Sequence, residues 1–168
     1  MLIIALDPAT RCGVAEGIAG GTPELKTINF GRELDDPADV FARVMTFAAR
    51  RLDAPPRPAF LAIESPVPKY DSSLVLGMHA IFIGAARQRG IPIKHAAVGT
   101  WRAYALGSGK MRREVAKAAA VETVKRLGWP AEDHNAAEAG LIWLWCCSLV
   151  APRLAARSEP LFLAGAKR

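Results

Sequence analysis

Short apolar runs alternate with amphipathic stretches along this chain, and their order predicts its fold class. Residues 2–6, LIIAL, form a continuous apolar run that stops at Asp7. A run that short, apolar at both parities, predicts a strand buried on both faces. Residues 12–18 and 25–30 predict two more strands, separated by a Gly20-Gly21 turn, so the first three strands are expected to form an antiparallel meander. Asp35-Asp36-Pro37 marks a helix start, with a capping Asp and Pro in the first turn. Val40, Phe41, Val44, Phe47, Ala48 and Leu52 then recur at helical spacing, and the prolines of 54–58 end the helix. Residues 60–63 predict a fourth strand, which runs into Glu64.

Residues 73–89 predict a helix stopped by Gly90, and 91–95 a short fifth strand. Residues 99–109 read as a mixed, Gly-containing segment around Trp101 and Arg102. Two helices follow, 111–127, stopped by Gly128 and Pro130, and 133–150. The order is β-β-β-α-β-α-β-α-α, an α/β chain without repeats. One domain is expected over 1–150, with a loosely attached tail over 151–168.

Composition narrows this picture. A chain of 168 residues that is 51% hydrophobic can bury a core as one domain. Lysine and arginine outnumber acids by 22 to 16, a net +6, which suits a polyanionic partner as well as a merely basic soluble protein. Cys12, Cys146 and Cys147 show no zinc spacing and read as reduced core thiols. The N-terminus lacks the basic flank of a signal peptide, and the apolar run 141–150 is too short to span a membrane. A cytoplasmic location without membrane contact is therefore expected.

The candidate chemistry is acidic. Asp7 and Glu64 end the first and fourth strands, and Asp133 and Glu138 flank the start of the last helix. If strands one and four are neighbours, Asp7 and Glu64 lie side by side, and a helix packed near the strand ends brings Glu138 to them. Clustered carboxylates are costly unless a cation neutralises them. Magnesium favours oxygen ligands, and two such ions about 4 Å apart clamp the oxygens of a phosphodiester under attack. Each acid also has a plainer use: Asp7 before Pro8 suits a turn, Glu64 an ordinary strand end, and Asp133 a helix N-cap. Glu138 stands among Ala136, Ala137 and Ala139, which favours a buried acid with a partner.

Four motifs in order carry a family resemblance. LDPATRCGVA (6–15), AIESP (62–66), TWRAYALGSGKMRREVAK (100–117) and DHNAAEAGLIWLW (133–145) resemble the motifs of RuvC-type Holliday-junction resolvases, with the last closest to the phage-like branch. The resemblance implies an RNase H-like fold: a mixed five-stranded sheet, three antiparallel strands then parallel ones, with helices on both faces. It also implies a homodimeric endonuclease that uses Mg²⁺ or Mn²⁺ to cut branched DNA, with Asp7, Glu64 and Glu138 as metal ligands; Asp133 is a further catalytic candidate, read from its place beside them and not from the resemblance. The position three before the final acid, usually a carboxylate or histidine in the family, is Asn135, and the final acid is Glu. Asn135 is expected as a ligand, while His134 serves as ligand, acid/base or a helix-start residue. Asp133 reaches the site through water or only caps the helix.

Lys110, Arg113 and Lys117 share a helical spacing, with Arg102 and Arg112 nearby, and they read as a phosphate-tracking face or a solvated one. Val115, Ala118, Ala119 and Leu127 are expected to give that helix its buried side. Lys69 and Tyr70 follow the second acid, in a loop that the resemblance brings to the junction, where Tyr70 stacks on a base or is a surface tyrosine. For a dimer, Leu141, Trp143 and Trp145, or Leu76, Met78 and Phe82, are candidate apolar contacts. Rival functions are an RNase H-like nuclease acting on RNA and a catalytically weak junction-binding protein. An actin-like phosphotransfer fold needs a second domain for which the chain is too short.

Overall fold

The computed structural model describes residues 1–32, 34–67 and 72–154. Their elements are β1 (Leu2–Asp7), β2 (Arg11–Ile18), β3 (Glu24–Asn29), α1 (Pro37–Asp53), β4 (Phe60–Glu64), α2 (Ser73–Gln88), β5 (Ile93–Ala96), α3 (Val98–Leu106), α4 (Arg113–Arg126) and α5 (His134–Val150). The sheet order is β3-β2-β1-β4-β5. The β1–β2 and β2–β3 pairs are antiparallel, and β1–β4 and β4–β5 are parallel. The mixed five-stranded sheet with helices on both faces is as expected.

The central strand shows why its sequence is apolar throughout. Ile4 and Leu6 join Val14, Leu61 and Ile63 in the core beneath α1 and α2. Ile3 and Ala5 face the other way, into the core shared with α3, α4 and α5. On that second face β2, beyond Arg11 at its start, presents only small residues. Gly13, Ala15 and Gly17 stand opposite Asp7, Ala5 and Ile3. Helix α5 lies in the trough they leave. The Asn135 carbonyl and Ala139 come against Gly13, and the Trp143 ring against Gly17, so a ridge at four-residue spacing runs along the strand. The Trp143 indole N–H donates to the Ile3 carbonyl at 3.2 Å.

Four expectations are corrected. The segment 99–109 contains a regular helix, α3, which ends at Gly107 with φ +78°. Gly109 then packs its backbone against Gly99, where a Cβ would sit 3.0 Å from the Gly99 carbonyl carbon. The buried side of α4 is Ala116, Ala120 and Val124, whereas Val115 is 56% exposed and Ala118 faces solvent. Lys110 precedes this helix rather than sharing its face. Leu141, Trp143 and Trp145, with Met78 and Phe82, are buried in the chain's own core and offer no contact surface. Among the described residues no helix is long and apolar enough to cross a membrane, and all three cysteines are buried and free. The expected tail lies outside the described residues from 155 onward.

Candidate active site

Strand parity puts the two strand-end acids together. Asp7 follows Ile3 and Ala5 on the α5 face, and Glu64 follows Ala62 on the same face. The parallel register pairs Leu6 with Ile63, so Asp7 and Glu64 are next to each other one step further on. Glu138 enters from the first turns of α5. It is 6% exposed, the single buried charged residue among those described. The three acids line one cleft of about 600 Å³ at the C-terminal ends of β1 and β4. His134, Asn135, Arg102, Arg113, Lys117 and His79 share its walls.

The electrostatics of this cluster are adverse for the protein alone. Burial pushes the Asp7 carboxyl well above the usual carboxylate range, and the charges of Glu64 and Glu138 push it further, against the pull of Arg102 and Arg113. The other two acids are held from behind by α3. Trp101 donates its indole N–H to Glu64 Oε2 at 2.8 Å, and Arg102 donates from Nη2 to Glu138 Oε1 at 2.8 Å. The Arg102–Glu138 pair is almost buried, with side chains 13% and 8% exposed. Arg102 also stacks over the Trp101 ring, 5.2 Å from its centroid, and its buried Nε has no partner among the described residues. Sequence reasoning missed Trp101 and assigned Arg102 to an outer DNA-binding face; the structure places Arg102 inside the wall, engaged with an acid.

Asp133 goes elsewhere. It is the N-cap of α5, accepting from the backbone N–H groups of Asn135 at 2.9 Å and Ala136 at 3.0 Å. The Thr27 hydroxyl donates to it at 2.6 Å and Arg11 at 2.7 Å. Partial burial pushes its carboxyl up, but the bonds from Thr27, Ala136, Arg11 and Asn135 outweigh that and hold it at about 2. The carboxylate expected in the catalytic set is thus turned to β3 and away from the cleft, while its neighbours His134 and Asn135 line it. Asp133→Ala should cost about 1–2 kcal/mol of stability at neutral pH, and Asp133→Asn clearly less. A carboxyl lowered on folding stabilises above its ordinary titration range, and that gain disappears as pH falls through about 2. Urea unfolding of wild type and the Ala variant should therefore converge at low pH. Unchanged stability with lost activity would return Asp133 to the chemistry.

The remaining candidates divide by position. Arg113 and Lys117 line the cleft, and Lys117 also reaches Glu114 at 3.8 Å. Lys110 and Arg112 are exposed outside it. Lys69 and Tyr70 lie outside the described residues.

No family model and no curated protein matches the chain. Among solved structures, the Thermus thermophilus RuvC structure matches with a TM-score of 0.69 at 19% identity, covering 89% of this chain and 95% of that one. The structure of T. thermophilus RuvC in complex with Holliday junction substrate matches at 0.62 and 16% identity, over 85% and 90%. The chain has the RuvC fold. In this RuvC-like, RNase H-like frame the cleft donors are three carboxylates and the Asn135 amide, hard oxygens that suit Mg²⁺ or Mn²⁺ in kind. Among the described residues no three or more His, Cys, Asp or Glu side chains are grouped so as to hold a metal ion. Two of the acids are turned to Trp101 and Arg102. Burial and the two neighbouring acids raise the Asp7 carboxyl, a strain on the charged form that a divalent cation would relieve. The donors suit such an ion in kind, while their side chains are not gathered around one point.

Proposed function

We propose that the chain is a metal-dependent endonuclease that cuts branched DNA, four-way junctions first among them. The observation that carries this reading is the convergence of Asp7, Glu64 and Glu138 on one cleft whose rim is cationic. Asp7, Glu64, Glu138 and the Asn135 amide oxygen would hold Mg²⁺ or Mn²⁺. Bound there, the ions would lower the pKa of a water and neutralise charge on the scissile phosphate. The chain's own groups do the rest. Arg113 and Lys117 hold the phosphates of the strand in the cleft, and Trp101 and Arg102 set the directions of Glu64 and Glu138. His134, on the same wall, is placed to orient a water or accept a proton.

The structural likeness to a RuvC solved with a Holliday junction supports a junction as substrate, and so does the net charge of +6. A junction has two equivalent strands to cut, which suits a homodimer with paired sites. With α5 buried, the outer side of α2, carrying half-buried Leu76 and Ile83 beside exposed Ala80, is the remaining apolar surface of the two candidates. The free buried thiols are in keeping with a cytoplasmic setting.

The deciding experiment incubates purified protein with a four-way junction, a linear duplex and an RNA–DNA hybrid, each with and without Mg²⁺. Paired incisions in the junction, dependent on the metal, are expected. Preferential cleavage of the hybrid would favour the RNA reading. Tight junction binding without cleavage in Mg²⁺ or Mn²⁺ would favour a binding protein.

A further inference from the structure

The wall of the cleft opposite the basic helix holds a histidine that the site described so far does not use. Helices α4 and α5 close the cleft from one face of the sheet, and α2 closes it from the other. The first side supplies Arg113 and Lys117. From α2 only Val75 and His79 reach the lining, so His79 is the one polar side chain on that helix's share of the wall. Its Nε2 is buried and has no hydrogen-bond partner among the described residues. A buried ring nitrogen left unpaired is costly, and one that faces a cleft calls for a partner such as a water, an ion or a ligand atom. The ring is not loose: it packs on the His95 ring at a centroid distance of 6.0 Å. Burial, and then the neighbouring His95, lower its pKa below the ordinary histidine value and so favour the neutral ring.

We propose that His79 is a substrate-contacting residue, its Nε2–H donating a hydrogen bond to a phosphodiester oxygen of the strand lying in the cleft. The inference rests on the nuclease reading and deepens it. The two walls then grip one strand by different physics. Arg113 and Lys117 act as charges that release counterions, and His79 acts as a neutral, directional donor that fixes where the backbone sits relative to Asp7 and Glu64.

The test uses the full chain and a fluorescently labelled four-way DNA junction, with binding measured in EDTA at pH 8 and cleavage measured separately in Mg²⁺. His79→Phe keeps the ring against His95 and removes the donor. It should weaken binding by about tenfold, with a melting temperature equal to or above that of wild type. The slope of log affinity against log salt should also be unchanged, because no phosphate-neutralising charge is lost. Lys117→Ala, as the contrast, should lower that slope by about one unit. His79→Gln, whose amide N–H can stand near the Nε2 position, should recover most of the lost affinity. Wild-type binding by His79→Phe would overturn the proposal. So would a loss in both variants accompanied by a lower melting temperature, since that describes a packing role. A wild-type protein that binds the junction but cuts nothing defeats the nuclease reading while leaving the His79 contact measurable in EDTA. A wild type that binds no junction overturns both.

Discussion

Asp7→Asn should abolish DNA cleavage and at the same time make the metal-free protein more stable. Both effects have one cause. Asp7 is forced by the β1–β4 register to sit beside Glu64 at the end of a strand buried on both faces. Burial and the two neighbouring acids raise its carboxyl well above the usual range. A carboxyl raised on folding stabilises the folded state only while protonated, so stability is lost as pH climbs through and beyond its ordinary range. Asparagine keeps the shape and removes the charge. The melting temperature without metal should rise by roughly 2–6 °C near neutral pH, and the gap to wild type should narrow as pH approaches 4. Junction cleavage should fall by about three orders of magnitude or more, with binding in EDTA retained. Glu64→Gln should lose cleavage similarly, since its amide oxygen can still accept from Trp101. Wild-type cleavage rates in either variant would remove these acids from the chemistry.

The second large effect is expected at a residue with no functional group. A Cβ on Gly13 would run into the Asn135 carbonyl oxygen, stand 2.7 Å from its carbon and 3.1 Å from the Ala139 side chain. The obstacle is helix backbone, which cannot turn aside as a flexible side chain can. Gly13→Ala must therefore push the start of α5 off the sheet, and Asn135 and Glu138 move with it. The cost should be about 2–3 kcal/mol, read from urea unfolding. Cleavage should drop on the order of a hundredfold even where the protein remains folded. Gly84→Ala is the control: an added methyl there meets nothing, at an exposed position of α2, and should stabilise by up to about 1 kcal/mol. A Gly13→Ala protein with wild-type stability and activity would show that α5 docks by some other constraint.

Much of this architecture is legible in residue patterns because the decisive signals are local. The LIIAL run is apolar at both parities because β1 is covered on both faces, and the same parity carries Asp7 to the α5 side with Ala5 and Ile3. The capping Asp36 and Pro37 start α1 where expected, with the Asp36 carboxylate accepting from Ala38 N–H. Glu138 among alanines is indeed buried against a partner.

What local pattern leaves open was decided by distant contacts. The nine-residue α3 has no side-chain cap and little amphipathic signal; it is held by burying Trp101 and by the close approach of Gly109 to Gly99. Alanine-rich α4 carries small residues around much of its circumference, so periodicity alone could not choose its buried side. Apolar side chains on α5 and α2 read alike for a core and an interface, since both bury the same surface. Asp133, His134 and Asn135 adjoin in sequence, yet Thr27 and Arg11, 106 and 122 residues away, take the first of them out of the cleft. The sequence by itself determined which acids stand at element ends and how the strands alternate, because those depend on neighbouring residues. Which of the acids meet, and which cations and indole hold them, was decided only in the tertiary structure, because hydrogen bonds and ion pairs form across space without regard to separation along the chain.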